Sequence, residues 1–167
     1  DAGQFKKVRD IVRADHDRRF VVVSASGKRF PSDNKITDLL LLVNAHIAYH
    51  VDCTALLKDI EQRYVDIAEE LGLKYPIARK FEEFSAVINS LSPEYIVSRG
   101  EWFTGQLMAE YLGIPFLDAA DVMVFHHDGT VDMTRTATRV NDAVARLGTF
   151  VLPGFYGSTV DGTIKLF

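Results

Sequence analysis

Three apolar runs in this chain each end in a turn of small residues, and this pattern restricts the available architectures more than any other feature. Phe20-Val21-Val22-Val23 leads into Ser24-Ala25-Ser26-Gly27. Tyr95-Ile96-Val97-Ser98 leads into Arg99-Gly100-Glu101, and Thr149-Phe150-Val151-Leu152 into Pro153-Gly154-Phe155-Tyr156-Gly157-Ser158. A continuous β-branched run bounded by polar residues suits a parallel strand buried on both faces. Helical stripes separate the runs. The spacing of Phe5, Val8, Ile11 and Val12 predicts a helix over about Ala2–His16, and further helices are expected over Ile36–Ala48, Thr54–Leu71, Ile77–Ile88, Trp102–Leu112 and Thr134–Leu147. Gly72, Gly113 and Gly148 stand where helix C-caps are needed. Asp128-Gly129 and Asp161-Gly162 mark hairpin turns, and Pro115-Phe116-Leu117 reads as a short strand.

Strands alternating with helices imply an α/β fold, a three-layer α/β/α sandwich on a mainly parallel sheet. The stretch Asn44–Ile88 adds a helical block with little strand signal. The chain has 167 residues, 47% hydrophobic and 25% charged, which excludes a disordered segment and suits one domain with a single core. Cys53 is the only cysteine, so there is no disulfide scaffold. The longest apolar run, about Leu39–Val43, is far short of the ~20 residues a membrane helix needs. No signal peptide is visible, and a reducing, cytoplasmic setting is expected. A net charge of −4 argues against a broad nucleic-acid surface.

In open α/β sheets, ligands bind beyond the carboxyl ends of the strands. That rule selects the turns Ser24–Gly27, Ser98–Glu101 and Gly154–Ser158. Small residues let backbone N–H groups approach an anion, and the first turn adds the hydroxyls of Ser24 and Ser26 beside Lys28 and Arg29. The same residues would also serve in an ordinary solvated loop. Glu101 is expected to open a helix, either as a first-turn acid favoured by the helix dipole or as the partner of a cationic substrate group. Arg99 is expected to pair locally. Thr37, in the first turn of its helix, is either a cap or a hydroxyl directed into the same crevice as Ser24. His46 and His50 supply only half a zinc site, so no metal site is expected. His126-His127 reads as solvated, and Cys53 as a small buried hydrophobe. The helical stripes from Leu39 to Ile88 suit a core or a subunit contact, and Leu39–Leu42, apolar all round, is expected to be buried.

Taken together, three segments resemble the aspartate kinase branch of the amino acid kinase family. They are Val21-Val22-Val23-Ser24-Ala25-Ser26-Gly27 with Lys35-Ile36-Thr37-Asp38-Leu39-Leu40, then Val97-Ser98-Arg99-Gly100-Glu101, then Val151-Leu152-Pro153-Gly154-Phe155-Tyr156-Gly157-Ser158. The resemblance implies transfer of the ATP γ-phosphate to the β-carboxylate of L-aspartate with Mg²⁺, the first step towards lysine, threonine and methionine. It places Thr37, Glu101 and Phe155 in the amino acid pocket, with Gly154 beside them. Ser24 falls near substrate and transferred phosphate, and Ser26 and Gly27 fall close to the phosphate. The family's Lys-Phe-Gly-Gly strand and Arg-Gly-Gly-Ser-Asp segment do not occur here. The expectation is therefore one domain, residues 1–167, forming the amino-acid-binding part of a catalytic domain truncated at both ends. Such a piece would be inactive alone, would meet ATP through the missing half, and would be a homo-oligomer when intact. Two alternatives are a sister kinase acting on glutamate or N-acetylglutamate, and a non-catalytic binding module of the same fold. The helical block argues against the sister kinase.

Overall fold

A computed structural model describes residues 1–167. Its helices are α1 (Ala2–Arg13), α2 (Ile36–Ala48), α3 (Thr54–Leu71), α4 (Ile77–Ala86), α5 (Pro93–Leu112), α6 (Ala119–Val122) and α7 (Met133–Leu147). Its strands are β1 (Phe20–Val23), β2 (Val124–Phe125), β3 (Phe150–Pro153), β4 (Tyr156–Thr159) and β5 (Ile164–Leu166). β1 runs parallel to β3, with Val21 opposite Val151. Phe116 adds a parallel bridge on the other side of β3. β2 runs parallel to β4, and β5 returns antiparallel through the Asp161-Gly162 turn. The strands form two sheets, β1-β3 and β2-β4-β5, whose pairing is mainly parallel, as the alternation of elements predicts.

Helices lie on both sides of β3. Val151 joins Val21 and Val23 in a core of 23 buried residues with α2, α3, α4 and α5. Phe150 instead packs with Leu117, Val122 and Ala143, against the side chains of α7. This is the α/β/α layering, and the alternation of side chains along a strand produces it. β1 departs from the expectation of burial on both faces. Phe20 is 43% and Val22 is 65% exposed, because the α7 layer covers β3 and does not reach β1.

The largest correction concerns residues 95–98, which are helical and not a strand. α5 is a single helix of 20 residues running through the expected strand, turn and helix. Its start is written in Ser92-Pro93: Ser92 Oγ accepts from Tyr95 N–H at 3.2 Å, and proline occupies the first helical turn. Thirteen of its twenty residues are buried, so packing on every side overrides the strand propensity of Ile96 and Val97. Gly100 makes the burial possible. A Cβ there would lie 3.0 Å from Ala25 Cβ and 3.3 Å from both Ile36 and Leu40. What reads as a turn glycine is a site of close helix-to-loop approach.

Two smaller expectations also change. Leu41 and Leu42 of α2 are 52% and 44% exposed, while Leu39 and Leu40 face the core. Pro115–Leu117 forms one bridge rather than a strand, held by Leu117 N–H to Val151 O at 2.9 Å and Val151 N–H to Pro115 O at 2.8 Å.

Gly157 in β4 shows how tightly the second sheet is assembled. A Cβ there would collide with the Met123 carbonyl and lie 2.6 Å from Met123 Cβ and 2.9 Å from the Phe125 ring. Backbone cannot step aside as a side chain can. Gly157→Ala is therefore expected to destabilise the protein by about 1–3 kcal/mol, read as a lowered urea midpoint with unchanged slope. An unchanged midpoint would show that β2 and β4 can separate freely.

Candidate functional site

The site is assembled at the carboxyl ends of β1 and β3. Val23 is paired with Pro153, and Gly154 N–H donates to Val23 O at 2.8 Å, which brings Ser24 and Gly154 side by side. A Cβ on Gly154 would come within 3.3 Å of that same carbonyl. Phe155 follows with φ +72°, a left-handed conformation that a non-glycine residue adopts at a cost, and its side chain is partly exposed. Its carbonyl accepts from Phe167 N–H at 2.9 Å, so β5 helps to hold the strained residue.

α5 supplies the floor. Glu101, only 4% exposed, accepts from Ala25 N–H through Oε1 at 3.1 Å. Its second oxygen, Oε2, is buried and has no hydrogen-bond partner. Burial raises the Glu101 carboxyl above its ordinary value, with the Ala25 hydrogen bond opposing the rise. No ion pair reaches this carboxylate. A buried carboxylate with one orphaned oxygen is costly by itself and suits a cationic hydrogen-bond donor from a ligand. The expectation that Glu101 opens a helix is corrected, because it lies in the ninth position of α5 and gains nothing from the helix start.

One turn further on, Thr104 Oγ1 accepts from Ser26 N–H at 3.1 Å and lies 3.2 Å from Ser26 Oγ. Thr104 Oγ1 also donates to Gly100 O at 2.9 Å, and Tyr64 Oη of α3 donates to the same carbonyl at 2.7 Å. Ser26 is thus a buried tether, while Ser24 and Gly27 stay exposed. Ser26 O accepts from Ile36 N–H at 3.3 Å, which places the start of α2, and Thr37 in it, beside the same turn. Thr37 is half-buried and does not cap. The N-cap position is Lys35, with no side-chain hydrogen bond.

The predicted residues therefore converge through the backbone: Ser24, Ser26 and Gly27 in one turn, Glu101 beneath it, Gly154 and Phe155 alongside, and Thr37 at the helix start. Sequence reasoning missed Thr104 and Tyr64. Thr104 stands three residues after Glu101, a same-face helical spacing that points to it only once residues 93–112 are read as one helix. Arg99 is locally satisfied as expected. It is buried, donates to Ser98 Oγ at 3.2 and 3.0 Å, and lies over Tyr95 at 4.2 Å.

His46 Nδ1 contacts Asp52 O at 2.8 Å, and no group of three or more His, Cys, Asp or Glu side chains is placed to hold a metal ion. His126 and His127 are exposed, and Cys53 is half-buried with its thiol pushed up by burial. No helix is long and apolar enough to cross a membrane.

No family model matches the chain. By sequence it is 29% identical to aspartokinase 3 of Bacillus subtilis (strain 168), over 99% of this chain and 40% of that protein. By structure it is similar to the aspartate kinase of Clostridium acetobutylicum, with a TM-score of 0.95 and 39% identity over 100% of this chain and 39% of that one. It is also similar to Escherichia coli aspartokinase III in complex with aspartate and ADP, with a TM-score of 0.79 and 25% identity over 99% of this chain and 40% of that one. The chain thus spans about two fifths of the length of the relatives it matches, and the similarity to these aspartokinases extends over essentially its whole length.

Proposed function

We propose that this chain is the amino-acid-binding lobe of an aspartate kinase, which transfers the ATP γ-phosphate to the β-carboxylate of L-aspartate. The observation that carries this reading is Glu101, a buried carboxylate whose Oε2 lacks a partner at the mouth of the Ser24–Gly27 turn. An α-ammonium supplies the missing donor and the missing positive charge together. Thr37, in the first turn of α2 beside the same turn, and Phe155, with its left-handed backbone at the end of β3, are assigned to the amino acid pocket by the resemblance and by their position beside this turn.

Phosphoryl transfer depends mostly on positioning and charge neutralisation. Ser24 presents an exposed hydroxyl at this strand end that can meet a carboxylate or phosphoryl oxygen, whereas the Gly154 amide is engaged by Val23 O and Gly154 contributes close approach rather than a donor. Gly27 N–H donates to no group of the protein, and a Cβ at Gly27 would meet nothing, so this amide is open to an anion. ATP supplies the phosphoryl group when bound. The resemblance assigns Ser26 and Gly27, beside Lys28, to the side of the site that would receive it. Mg²⁺ would be carried largely by the ATP phosphates and water, which needs no dedicated cluster of protein carboxylates. The homo-oligomeric state, the cytoplasmic setting, and residues 1–167 as one piece of a larger catalytic domain belong to the same proposal.

The test is titration of the chain with L-aspartate, L-glutamate and N-acetyl-L-glutamate by calorimetry, with coupled ADP release measured on the longest form of the protein that contains it. Aspartate binding with aspartate-dependent ADP release is expected. Turnover with glutamate and none with aspartate would assign a sister kinase. Binding without turnover in the longest form would assign a non-catalytic module.

A further inference from the structure

We propose that Arg63, in the middle of α3, is a positioning residue for the substrate crevice, holding the loop that joins the Ser24–Gly27 turn to Thr37. The inference rests on the amino-acid-binding reading above and concerns how that site is kept in shape.

The loop from residue 24 to residue 35 has no regular secondary structure, and α2 begins without a side-chain cap. Its own backbone bonds are few: Asp33 N–H to Phe30 O at 3.0 Å, and the Ile36 N–H to Ser26 O bond that closes it. Its start is tied to α5 by Ala25 N–H to Glu101 and Ser26 N–H to Thr104, and the part that leads to α2 is ordered by one buried cluster. Asp33, 6% exposed, accepts from Arg29 N–H at 3.0 Å, Arg29 Nε at 2.9 Å and Arg29 Nη2 at 3.2 Å. Those bonds fold the loop on itself, and Arg29 reaches α3 only through a long contact of Nη2 with Asp59 Oδ1 at 3.5 Å; the short bonds that attach this part of the loop come from Arg63. Its Nη2 donates to Asp33 Oδ1 at 2.8 Å and to Asp59 Oδ2 at 2.7 Å, and its Nη1 donates to Asn34 O at 2.7 Å. Asn34 lies three residues before Thr37. Arg63 is 4% exposed, so the fork works out of water, where such bonds are strongest. Asp33 is held far below the ordinary carboxylate range, chiefly by its hydrogen bonds to Arg29.

The neighbouring residue serves the opposite wall. Tyr64 Oη donates to Gly100 O, the residue immediately before Glu101. Two consecutive positions of α3 therefore hold the two halves of the crevice. Arg63 holds the loop leading to Thr37, and Tyr64 holds the α5 segment that carries Glu101. A planar fork is required, because a single ammonium cannot reach Asp33 and the Asn34 carbonyl together in this geometry.

The experiment compares wild type with Arg63→Lys and Arg63→Met. Amide hydrogen exchange is read at residues 26–37 and, as internal reference, in α5. Aspartate affinity is read by calorimetry, and KM and kcat on the longest active form. Exchange at 26–37 should accelerate about tenfold or more in both variants while α5 keeps its protection. Aspartate affinity should fall about ten- to a hundredfold, with KM for aspartate rising more than kcat falls. A residue needed only for folding would lower the active fraction and leave KM unchanged. If Arg63→Met does not fold, Arg63→Lys carries both readouts. Unchanged exchange at 26–37 in a folded variant overturns the proposal, as does faster exchange with unchanged aspartate affinity. If wild type binds no aspartate, the amino-acid-binding reading fails and this inference fails with it. The exchange data then still report whether Arg63 holds the loop, so the two failures are told apart.

Discussion

Glu101→Gln is expected to weaken aspartate binding by about ten- to a hundredfold and, at neutral pH, to make the unliganded protein more stable. Both effects follow from the orphaned Oε2. A hydrogen bond to a charged group contributes about 1.5–3 kcal/mol, and glutamine loses the charge that an ammonium would meet. The stability gain has the opposite origin. Burial raises the Glu101 carboxyl above its ordinary value of 4.5, so the folded protein binds that proton more tightly than the unfolded chain does. Stability therefore falls as pH rises from the ordinary carboxylate range through the raised value. Glutamine has no proton to lose, so the variant should melt higher than wild type at pH 7, and the gap should close below about pH 4. Ligand binding reverses the dependence. An ammonium pairs with the ionised carboxylate, so wild-type affinity for aspartate should rise with pH across the same interval. Calorimetry and thermal melts at pH 4, 5.5 and 7 measure both limbs. Unaltered aspartate affinity in the variant would remove Glu101 from the site and leave it a structural acid.

Phe103→Ala should produce the largest loss of stability available from one side chain, about 3–5 kcal/mol. Phe103, on α5, is 2% exposed and faces the helical block. Its ring centroid is 5.5 Å from Tyr64, 5.3 Å from Phe81, 5.9 Å from Phe84 and 5.1 Å from Trp102. Truncation removes the contact partner of α3, α4 and the neighbouring Trp102 together, and rings on three sides cannot all collapse into one void. For a protein of this size the melting temperature should drop by about 10 °C. A loss below about 1 kcal/mol in urea would show that the helical block packs independently of α5.

Much of the local structure was legible in residue pattern. The α2 and α3 boundaries, the left-handed cap at Gly72 and the Asp161-Gly162 return all follow from short-range chemistry that each segment carries with it. The turn after β1 and the start of the Pro153–Ser158 segment were recognisable as strand ends, and the structure places them side by side at the carboxyl ends of β1 and β3. Residues 93–112 were not legible in the same way. Ile96 and Val97 favour a strand, and Arg99-Gly100 resembles a turn, but α5 is enclosed by α2, α3, the sheet and β5, and burial on all sides outweighs a propensity of about 1 kcal/mol. The same misreading hid Thr104, whose role depends on sharing a helix face with Glu101.

Sequence alone determined the class of the fold, the positions of its stops and the three segments from which the crevice is made, because capping, periodicity and turn chemistry act over a few residues. Only the tertiary structure decided what Glu101 is. An acid at a helix start would be solvated and ordinary. The same residue in the middle of a buried helix, under the Ala25 amide and with one oxygen unanswered, is a desolvated carboxylate whose unmet oxygen suits a cationic donor. That difference comes from desolvation, which depends on everything packed around the residue and on nothing within a few positions of it.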